Sequence, residues 1–409
     1  MSAEANDPLT DPLTQTVADV GEALGTDFLS LSDPFTPEQA DVLKRVRAFV
    51  DDEVLPVIND YWERADFPWP LVRRLAELGV VGAGIDGYGC PTLDKVASGL
   101  VQMELSRGDG SLATFLGVQA GLAMTAIYRC GSEVHKQRWL PQMAACEAIG
   151  AFALTEPDHG SDSIGLETSA HRDGDVWVLD GAKKWIGNAT IADVVVVWAR
   201  DTRDGEVKGF LVEKDTPGFD ARVITGKGSL RAVWQAEIDL QGVRVPESNR
   251  LPGANTFADC ADVLATTRSD CAWMALGHAV AGFDAALSYT KTRKQFGQPL
   301  VNFQIVQQRL VHMLADVTAM QLYCAQIGKL AEIGKLTPTL AGLAKLHNTS
   351  KAREVLAVAR DLLGGNGILL ENHVIRHMTD IESIHTFEGT ETMQTLIVGR
   401  DITGTGAFS

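Results

Sequence analysis

At 409 residues the chain is too long for one small domain, and it is expected to fold as two or three packed units. Hydrophobic residues make up 45% and charged residues 22%, proportions typical of a globular protein with a sizeable core. The formal net charge of −17 argues against a nucleic-acid partner, because binding a phosphate backbone needs clustered lysines and arginines. A small anionic ligand stays compatible with it, since a local basic patch can sit in an acidic protein.

The same survey indicates a cellular compartment. The six cysteines are scattered without a C-x-x-C pair, so reduced structural thiols are expected. The N-terminal segment is acidic and polar and lacks a signal-peptide pattern. The longest apolar run is taken to be Val194–Ala199, far below the ~20 residues of a membrane helix. We therefore expect a soluble cytoplasmic protein with no membrane partner.

The first part of the chain reads as an arm followed by helices. Residues 1–33 repeat Asp-Pro-Leu-Thr and are expected to be extended or mobile. A helix is predicted from Thr36, with Pro37 at its first position and Gln39 completing a capping box. Residues 34–150 are predicted to be all-helical, because apolar residues recur at helical spacing in several stretches: Leu71–Leu78, Val96–Leu105 and Val134–Met143.

Strand patterns replace the helical ones at residue 151. Val176–Leu179 reads as a strand closed by the turn pair Asp180-Gly181, and Asp204-Gly205 reads as a hairpin after the Val194–Trp198 run. A short strand is also expected at Val243–Val245, before Pro246. Residues 151–261 are therefore predicted to form a β domain. Long helical periods return in residues 262–409 at Ala272–Thr290, Gln304–Ile333 and Thr339–Leu363, so the predicted class is α+β.

Two segments of the β domain carry candidate ligand contacts. Phe152–Asp162 reads as a strand breaking into a turn whose hydroxyl and N–H groups can face a polar ring or phosphate, although a plain hairpin loop explains it too. In Lys183–Asn188 a tryptophan precedes a glycine at a strand end, where it can lie against a flat ring. Taken alone, Trp185 fits a core position equally well.

Three further segments lie in the C-terminal helices. Arg293–Pro299 ends a long helix and can hold a pyrophosphate or simply be a solvated basic end. Leu362–Gly367 is glycine-rich, as expected for close approach to a ligand or for a helix cap. Phe387–Thr390 contains Glu388 among apolar residues, a setting that raises a carboxylate's pKa and suits a general base, whereas a lone loop glutamate is ordinarily just exposed.

Taken in order, these five segments resemble the motifs of the acyl-CoA dehydrogenase family, and the resemblance covers residues 36–409. Within that family the chain is most similar to the glutaryl-CoA dehydrogenase branch and related short-chain acyl-CoA oxidases, on Gly87–Pro91, Val374–His377, Leu396–Arg400 and Ile402–Gly404. The family fold has an N-terminal helical domain, a middle β-sheet or barrel domain and a C-terminal four-helix bundle.

The resemblance implies an FAD between the β domain and the C-terminal helices. Its ring is expected to contact Phe152, Leu154, Thr155, Gly160, Ser161, Trp185, Ile186 and Gly187. Another group is expected to reach the FAD of a neighbouring subunit, which implies an oligomer, usually a homotetramer: Arg293, Gln304, Asp361, Gly364 and Gly365. Phe296, Thr390 and Phe408 are also expected to touch the cofactor.

The resemblance further implies the chemistry. Glu388 is expected to remove the α-proton of an acyl-CoA thioester while the flavin N5 takes the β-hydride. The backbone N–H of Glu388 and a flavin hydroxyl are expected to stabilise the charge on the thioester oxygen. Ser161, Arg268 and Gly389 match positions that contact the thioester, with Arg268 toward its nucleotide end.

Departures from the branch concern substrate and electron acceptor. Ala113 stands where glutaryl-CoA dehydrogenases place an arginine, and Phe387 where they have tyrosine. A buried carboxylate without a counter-charge costs several kcal/mol, so a short- or medium-chain, non-dicarboxylic acyl group is expected, with Ala113 and Phe387 lining its pocket. Gly187 replaces a threonine, which leaves room for oxygen beside the flavin. The acceptor is thus an electron-transferring flavoprotein or, in an oxidase, oxygen.

Other functions fit the sequence less well. His373, His377 and Asp380 could form a metal-binding helix face, but without a closing ligand cluster they read as a solvated helix, so no metal is expected. Nucleophilic hydrolysis lacks a G-x-S-x-G motif. A non-catalytic acyl-CoA-binding protein on the same fold is disfavoured because Glu388 is present.

Overall fold

The computed structural model of the chain describes residues 29–407. The predicted arm, residues 1–33, therefore lies mostly outside the described residues and stays a prediction. Within residues 29–34, the Asp33 N–H donates to the Ser30 carbonyl over 3.1 Å. The elements described below all lie in residues 35–407.

The N-terminal part of this region, up to Ala144, is helical, as predicted. Helix α1 begins at the expected capping box, in which Gln39 N–H donates to Thr36 Oγ1 over 3.2 Å and Thr36 N–H donates to Gln39 Oε1 over 3.0 Å. The helices are α1 Pro37–Phe49, α2 Ile58–Arg64, α3 Trp69–Glu77, α4 Lys95–Gly108, α5 Gly110–Leu116, α6 Thr125–Cys130 and α7 Glu133–Ala144. Two π-helical segments, Val50–Val54 and Gly117–Met124, extend α1 and join α5 to α6.

The continuous helix Gly110–Cys130 corrects one expectation from the sequence. Within the described residues it is long and apolar enough to cross a membrane by length and composition, so Val194–Ala199 is not the longest apolar stretch. In its most apolar window 61% is buried inside the protein, and Phe115 and Ile127 are fully buried. A core helix meets the same two criteria, and packing inside the protein accounts for this apolar run.

The middle of the chain forms one curled sheet. Its strands are β1 Gly150–Ala153, β2 Ser169–Asp173, β3 Val176–Gly187, β4 Val194–Asp201, β5 Val207–Glu213, β6 Phe219–Val223 and β7 Gln235–Pro246. The order is β1-β4-β2-β3-β7-β6, and β5 pairs with β4; β4 runs parallel to β1 and β2, and the other pairs are antiparallel. Along β4, Val194 and Val196 join the helical core while Val195 and Val197 join the core of the sheet, the alternation expected of a strand buried on both faces.

The predicted turn at Asp180-Gly181 was wrong. Strand β3 continues through this pair, with a shift of pairing register against β7 between Leu179 and Gly181. The Asp180 side chain, instead of making a turn, accepts a hydrogen bond from Gly242 N–H on β7 over 2.7 Å. A cross-strand bond and a β-bulge thus replace the local turn that an Asp-Gly pair favours.

The C-terminal helices pack around one central helix. They are α8 Phe257–Thr267, α9 Asp270–Thr292, α10 Gln304–Glu332, α11 Pro338–Leu362, α12 Val374–Thr386 and α13 Glu391–Thr403, with the short hairpin β8 Lys294–Gln295 and β9 Gln298–Pro299 after α9. Helix α9 contacts α4, α10, α11 and α12. Gly277 permits this closeness, because a Cβ there would lie 2.1 Å from the Met103 carbonyl oxygen of α4.

A buried ion pair ties α12 to the N-terminal helices. Arg376 and Asp109 are both fully buried, and Nη1 of Arg376 lies 2.6 Å from Oδ2 of Asp109. Arg376 also donates to the Gly108 carbonyl over 2.9 Å and to Asn59 Oδ1 over 3.0 Å. Asp109 in turn caps α5 by accepting from Ser111 N–H over 2.8 Å. The pair is fully hydrogen-bonded, as a buried ion pair must be.

Replacing Arg376 by alanine should therefore destabilise the protein strongly. The variant leaves the Asp109 carboxylate buried without its partner, and we expect the free energy of unfolding to fall by ~3–5 kcal/mol. Urea denaturation measures it. The matched control is Arg353→Ala, which removes an exposed pair with Glu382 and should cost less than ~1 kcal/mol. Equal losses in the two variants would contradict the role assigned to Arg376.

Candidate active site

Glu388 lies in the short loop that joins α12 to α13. Its backbone φ is 57° and that of Gly389 is 88°, so two consecutive residues adopt the left-handed conformation. This costs a non-glycine residue ~1–2 kcal/mol and persists only where the surroundings impose it. Non-glycine residues with a strained backbone concentrate at functional sites, so this loop is a candidate for the catalytic site.

The surroundings of Glu388 suit a general base. The residue is half-buried, and burial raises the pKa of its carboxyl. The positive charges of Lys345 and Arg268 and a hydrogen bond with the Thr267 side chain act in the opposite direction without cancelling the rise. The sequence predicted only the apolar part of this environment. The carboxylate is in fact desolvated and next to cations, which keeps a base ionisable inside a protein.

Four neighbours of the Glu388 loop were not found from the sequence. Three come from helices distant in the chain and the fourth from the helix that follows the loop: Thr267, Asp270, Lys345 and Gln394. The one signal was on α11, where Lys345 falls on a stripe otherwise occupied by small and apolar residues. Asp270 lies one turn beyond Thr267, and no hydrogen bond or ion pair within residues 29–407 engages its carboxylate. Burial raises the pKa of Asp270 to about 7. The Lys95 charge opposes this rise, and the nearby Glu388 charge adds to it.

The residues predicted to contact the substrate fall in three places. Arg268 follows α8, and its charge acts on Glu388. Ala113 is fully buried on α5, and Phe387 packs half-buried against the same apolar cluster. Gly389 is in the Glu388 loop, while Ser161 is exposed in the loop after β1.

The first two predicted cofactor segments are bonded to each other. Lys184 N–H donates to the Thr155 carbonyl over 2.9 Å, and the buried Lys183 ammonium donates to the Leu154 carbonyl over 3.0 Å. Lys183 also pairs with Glu156 at 2.8 Å. Burial lowers the pKa of Lys183 to about 8, whereas the pKa of Glu156 is lowered because Lys183 and two N–H groups outweigh its burial. The pair holds the loop after β1 against the end of β3.

The end of β3 presents a wide aromatic surface. Trp185 has φ of 63° and its side chain is 55% exposed, so it is not the core residue that a lone tryptophan usually is. Ile186 and Gly187 are buried beside it. A Cβ on Gly187 would lie 2.9 Å from Cγ2 of Val118. The threonine side chain missing at Gly187 therefore leaves no empty space on this side, because Val118 occupies it.

Two other predicted ring contacts lie at β1. Phe152 is buried in this strand, and Gly160 is exposed in the loop that follows it. At a third place, Thr390 is the N-cap of α13 and accepts from Met393 N–H over 3.3 Å. Phe408, the remaining predicted contact, lies outside the described residues.

The other predicted cofactor residues cluster far from Glu388. Arg293 follows the last residue of α9, whose 23 residues span about 35 Å at ~1.5 Å per residue. Next to it the Asn366 side chain donates to the Tyr289 hydroxyl over 2.8 Å, which joins the glycine-rich motif to this end of α9. The cluster contains exposed Phe296 and Gln304, the exposed glycines Gly364 and Gly365, and Asp361, which pairs with Arg309 at 2.5 Å.

The expectation of a solvated face at His373, His377 and Asp380 was wrong. His377 and Asp380 are buried, because α12 turns this face toward the protein interior. His377 Nδ1 lies 2.8 Å from Nδ1 of His278, and Asp380 accepts from Trp62 Nε1 over 3.0 Å. The first contact joins two C-terminal helices and the second joins the N- and C-terminal domains, so neither side chain faces water.

Comparison with known proteins agrees with this geometry. The family model of the acyl-CoA dehydrogenase N-terminal domain matches residues 36–147, that of the middle domain residues 151–243, and that of the C-terminal domain residues 257–403. The chain belongs to the acyl-CoA dehydrogenase family. It is therefore an oxidoreductase acting on CH–CH groups, and it has the family's helical, sheet and helical architecture.

Relatives within the acyl-CoA dehydrogenase family resemble the chain over most of its length. The mitochondrial short-chain specific acyl-CoA dehydrogenase of Bos taurus is 33% identical over 88% of this chain and 89% of its own. The crystal structure of glutaryl-CoA dehydrogenase from Mycobacterium smegmatis is 41% identical, with a TM-score of 0.91, over 94% of this chain and 100% of that one. A glutaryl-CoA dehydrogenase structure from the same organism in complex with FADH2 is 39% identical with the same TM-score, over 94% of this chain and 98% of that one.

Acyl-CoA dehydrogenases use FAD, and the described residues fit this cofactor. Trp185 and Phe296 are large aromatic side chains left 55% and 92% exposed, as expected of surfaces that a ligand or partner covers. A Cβ on Gly364 or Gly365 would meet nothing within 4 Å, so a ligand can approach this backbone. No side chain or backbone oxygen within residues 29–407 accepts from the Arg293 guanidinium, which leaves it available to a pyrophosphate.

Breaking the Lys183–Glu156 pair should loosen the FAD site of this acyl-CoA dehydrogenase. In Lys183→Met the Glu156 carboxylate stays buried without its cation, and a loss of ~3–5 kcal/mol in unfolding free energy is expected. Because the pair connects the two ring-facing segments, the variant should also release FAD more readily. The measurements are urea denaturation and the flavin-to-protein ratio after gel filtration.

The double variant Lys183→Met with Glu156→Gln serves as the matched control, since it removes both charges and should recover part of the stability. If Lys183→Met retained FAD as tightly as the unaltered protein, the pair would have no role in the site.

Proposed function

We propose that the chain dehydrogenates a short- or medium-chain, non-dicarboxylic acyl-CoA to the trans-2-enoyl-CoA, as in fatty acid β-oxidation. The observation that carries the proposal is Glu388, a desolvated carboxylate on a left-handed loop beside two cations. A carboxylate in this state can remove a weakly acidic proton near neutral pH. The pathway and the cytoplasmic location, the latter inferred from the scattered cysteines, belong to the same proposal.

The chain's own groups supply each part of the proton transfer. Glu388 takes the α-proton, and negative charge then develops on the thioester oxygen. The backbone N–H of Glu388 has no acceptor within residues 29–407, so it is free to donate to that oxygen. Bound FAD supplies the hydride acceptor for the β-carbon. Trp185 and Gly187 would hold its ring, and Arg293 with Gln304 would hold a neighbouring subunit's FAD.

The acyl pocket supports a substrate without a second carboxylate. Ala113 is fully buried and small, and Phe387 lies against the same apolar cluster, so no counter-charge is available from these two positions. The alternative substrate is glutaryl-CoA, favoured by the 41% identity to a glutaryl-CoA dehydrogenase.

The electron acceptor is proposed to be an electron-transferring flavoprotein. The oxidase alternative rested on free space beside Gly187, but Val118 already occupies the position that a side chain there would take. A filled space beside the flavin site supports slow reaction with oxygen.

An assembly of four subunits is part of the proposal. Arg293 and the glycine-rich motif lie about 35 Å along α9 from the Glu388 end, too far for one chain to use both sets on one flavin ring. Apolar side chains near that end are exposed, among them Phe296 at 92% and Ile305 at 65%. A neighbouring copy that contributes these residues to a shared FAD site would bury them.

Anaerobic reduction of the FAD-loaded protein by a panel of acyl-CoAs tests the reaction. Butyryl- to octanoyl-CoA should bleach the flavin within one turnover and glutaryl-CoA should not. The variant Glu388→Gln should bind the same thioesters but bleach the flavin slower by a factor of about 10²–10⁴, because the base is lost.

Stopped-flow absorbance measures the bleaching, and admission of air then follows recolouring. Bleaching by glutaryl-CoA alone would move the assignment to the alternative substrate, and rapid recolouring with peroxide release would make the chain an oxidase. Thioester binding without bleaching, in the unaltered protein, would indicate a non-catalytic binding protein.

The assembly is tested with Phe296→Asp. Light scattering of the unaltered protein should give about four times the 44.0 kDa chain mass. A charge at Phe296 should shift the mass toward smaller species and lower the bound FAD together. The matched control is Val134→Asp, which changes a side chain 75% exposed on α7 and should alter neither quantity. An unaltered protein that is monomeric yet retains FAD would refute the shared site.

A further inference from the structure

All three carbonyl oxygens of the Glu388 loop accept hydrogen bonds from two buried side chains. The Lys345 ammonium donates to the carbonyls of Phe387 and Gly389. The Gln394 amide donates to the carbonyl of Glu388 over 2.9 Å and to that of Gly389 over 3.0 Å. Together they fix the peptide planes on both sides of the catalytic residue.

Lys345 is an unusual residue for its position. It is 1% exposed on α11, and its ammonium has no carboxylate within salt-bridge distance among the described residues. A buried ammonium is costly unless hydrogen bonds satisfy it. The two carbonyls of the Glu388 loop are the partners that do so, and burial lowers the pKa of Lys345 while the nearby Glu388 and Cys271 oppose this.

Gln394 approaches the loop from the other helix, α13. Its amide is 1% exposed and is wedged against α11, where a Cβ on Gly342 would lie 2.8 Å from its oxygen. Neither partner can move far, so the loop is held between two helices. The contacts also explain how Glu388 keeps a left-handed backbone, since hydrogen bonds from a charged donor to the loop carbonyls offset the strain of that conformation.

Fixing the carbonyls also determines what the opposite side of the loop presents. The N–H groups of Glu388 and Gly389 have no acceptor among residues 29–407. The carbonyls of the same loop, by contrast, all accept hydrogen bonds from Lys345 or Gln394. The contacts of Lys345 and Gln394 with the carbonyls thus set the backbone orientation of Glu388, which carries both the N–H donor and the carboxylate. If the loop rotated, base and N–H donor would move together.

We propose that Lys345, assisted by Gln394, is a positioning residue for proton abstraction, which holds the Glu388 carboxylate and N–H toward the same thioester and places a positive charge near the carboxylate. This inference rests on the proposed function and adds a division of roles. Lys345 supplies orientation and charge, whereas Gln394 supplies orientation alone.

Other ionisable groups surround this cluster and must be considered in any pH profile. Arg268 precedes α9, and Asp270 and Cys271 lie on α9 itself, all three acting on Glu388 or Lys345. The Glu388 charge acts on Cys260 of α8, and the Lys345 charge acts on His385 of α12. Of the cations, Lys345 has the larger effect on Glu388, ahead of Arg268.

The test compares Lys345→Met, Lys345→Arg and Gln394→Leu in the FAD-loaded protein. In Lys345→Met we expect kcat to fall about 10²-fold with KM changed little, as for a misplaced catalytic group. The acidic limb of the pH profile should move to higher pH, because the loss of a positive charge raises the pKa of Glu388. Lys345→Arg should restore the limb and part of kcat. Gln394→Leu should lower kcat without moving the limb.

A second measurement does not depend on turnover. Backbone amide hydrogen exchange of the peptide containing residues 387–390, without substrate, should become faster in Lys345→Met and in Gln394→Leu. The matched control is Lys227→Met, since Lys227 is another largely buried lysine that donates to two loop carbonyls, those of Leu230 and Val233. It should lower the melting temperature without affecting the pH limb or this peptide.

The outcomes distinguish a failure of the positioning role of Lys345 from a failure of the proposed function. If Lys345→Met kept both the exchange rate and the pH limb of the unaltered protein, or matched Lys227→Met in every readout, Lys345 would be a structural lysine only. If no acyl-CoA reduced the unaltered protein, the proposed function would fail. Hydrogen exchange would then still decide whether Lys345 holds the loop.

Discussion

The close packing of α9 is the constraint on which the site depends. This helix is buried between α4 and the other C-terminal helices, and Gly277 lets its backbone approach the Met103 carbonyl of α4. Since the helix can neither slide nor rotate, its two ends are fixed points about 35 Å apart. One end brings Arg268 and Asp270 to the base, and the other carries Arg293. The helix thus separates the chemistry of one chain from the residues offered to a neighbour.

Buried charge in this protein is used to hold loops. Lys183 donates a hydrogen bond to the loop after β1, and Lys345 donates to the Glu388 loop. Arg376 binds Asp109, which caps α5 at its junction with α4. A buried ion pair is weak evidence for stability, because desolvation offsets most of its attraction. What such a charge provides is direction, since its hydrogen bonds accept only one arrangement of the surrounding carbonyls. Lys183 and Lys345 therefore fix backbone that ligands are expected to meet, and Arg376 fixes the junction of two helices.

Local signals in the sequence predicted local structure well. The Thr36–Gln39 box and the Asp204-Gly205 hairpin needed only neighbours in the chain, and the structure has both. Asp180-Gly181 failed because Gly242, far away in sequence, offered Asp180 a cross-strand partner. Ordered motifs were enough to identify the family, and they singled out Glu388 as the candidate base. They could not find Lys345 or Asp270, because a polar residue on a helix acquires its meaning from the element packed against it.

The buried face of α12 shows that sequence patterns can also predict exposure where the structure has burial. Histidines four residues apart followed by an acid read as polar and therefore solvated, yet His377 and Asp380 lie inside the protein. Their burial is possible because other elements bring partners, His278 from the neighbouring α9 and Trp62 from α2 of the N-terminal domain. Burial of polar groups at a junction makes its geometry specific, since a shift would break the His278–His377 and Trp62–Asp380 hydrogen bonds. As α12 ends at the Glu388 loop, this junction and the Lys345 contacts fix the base from both sides.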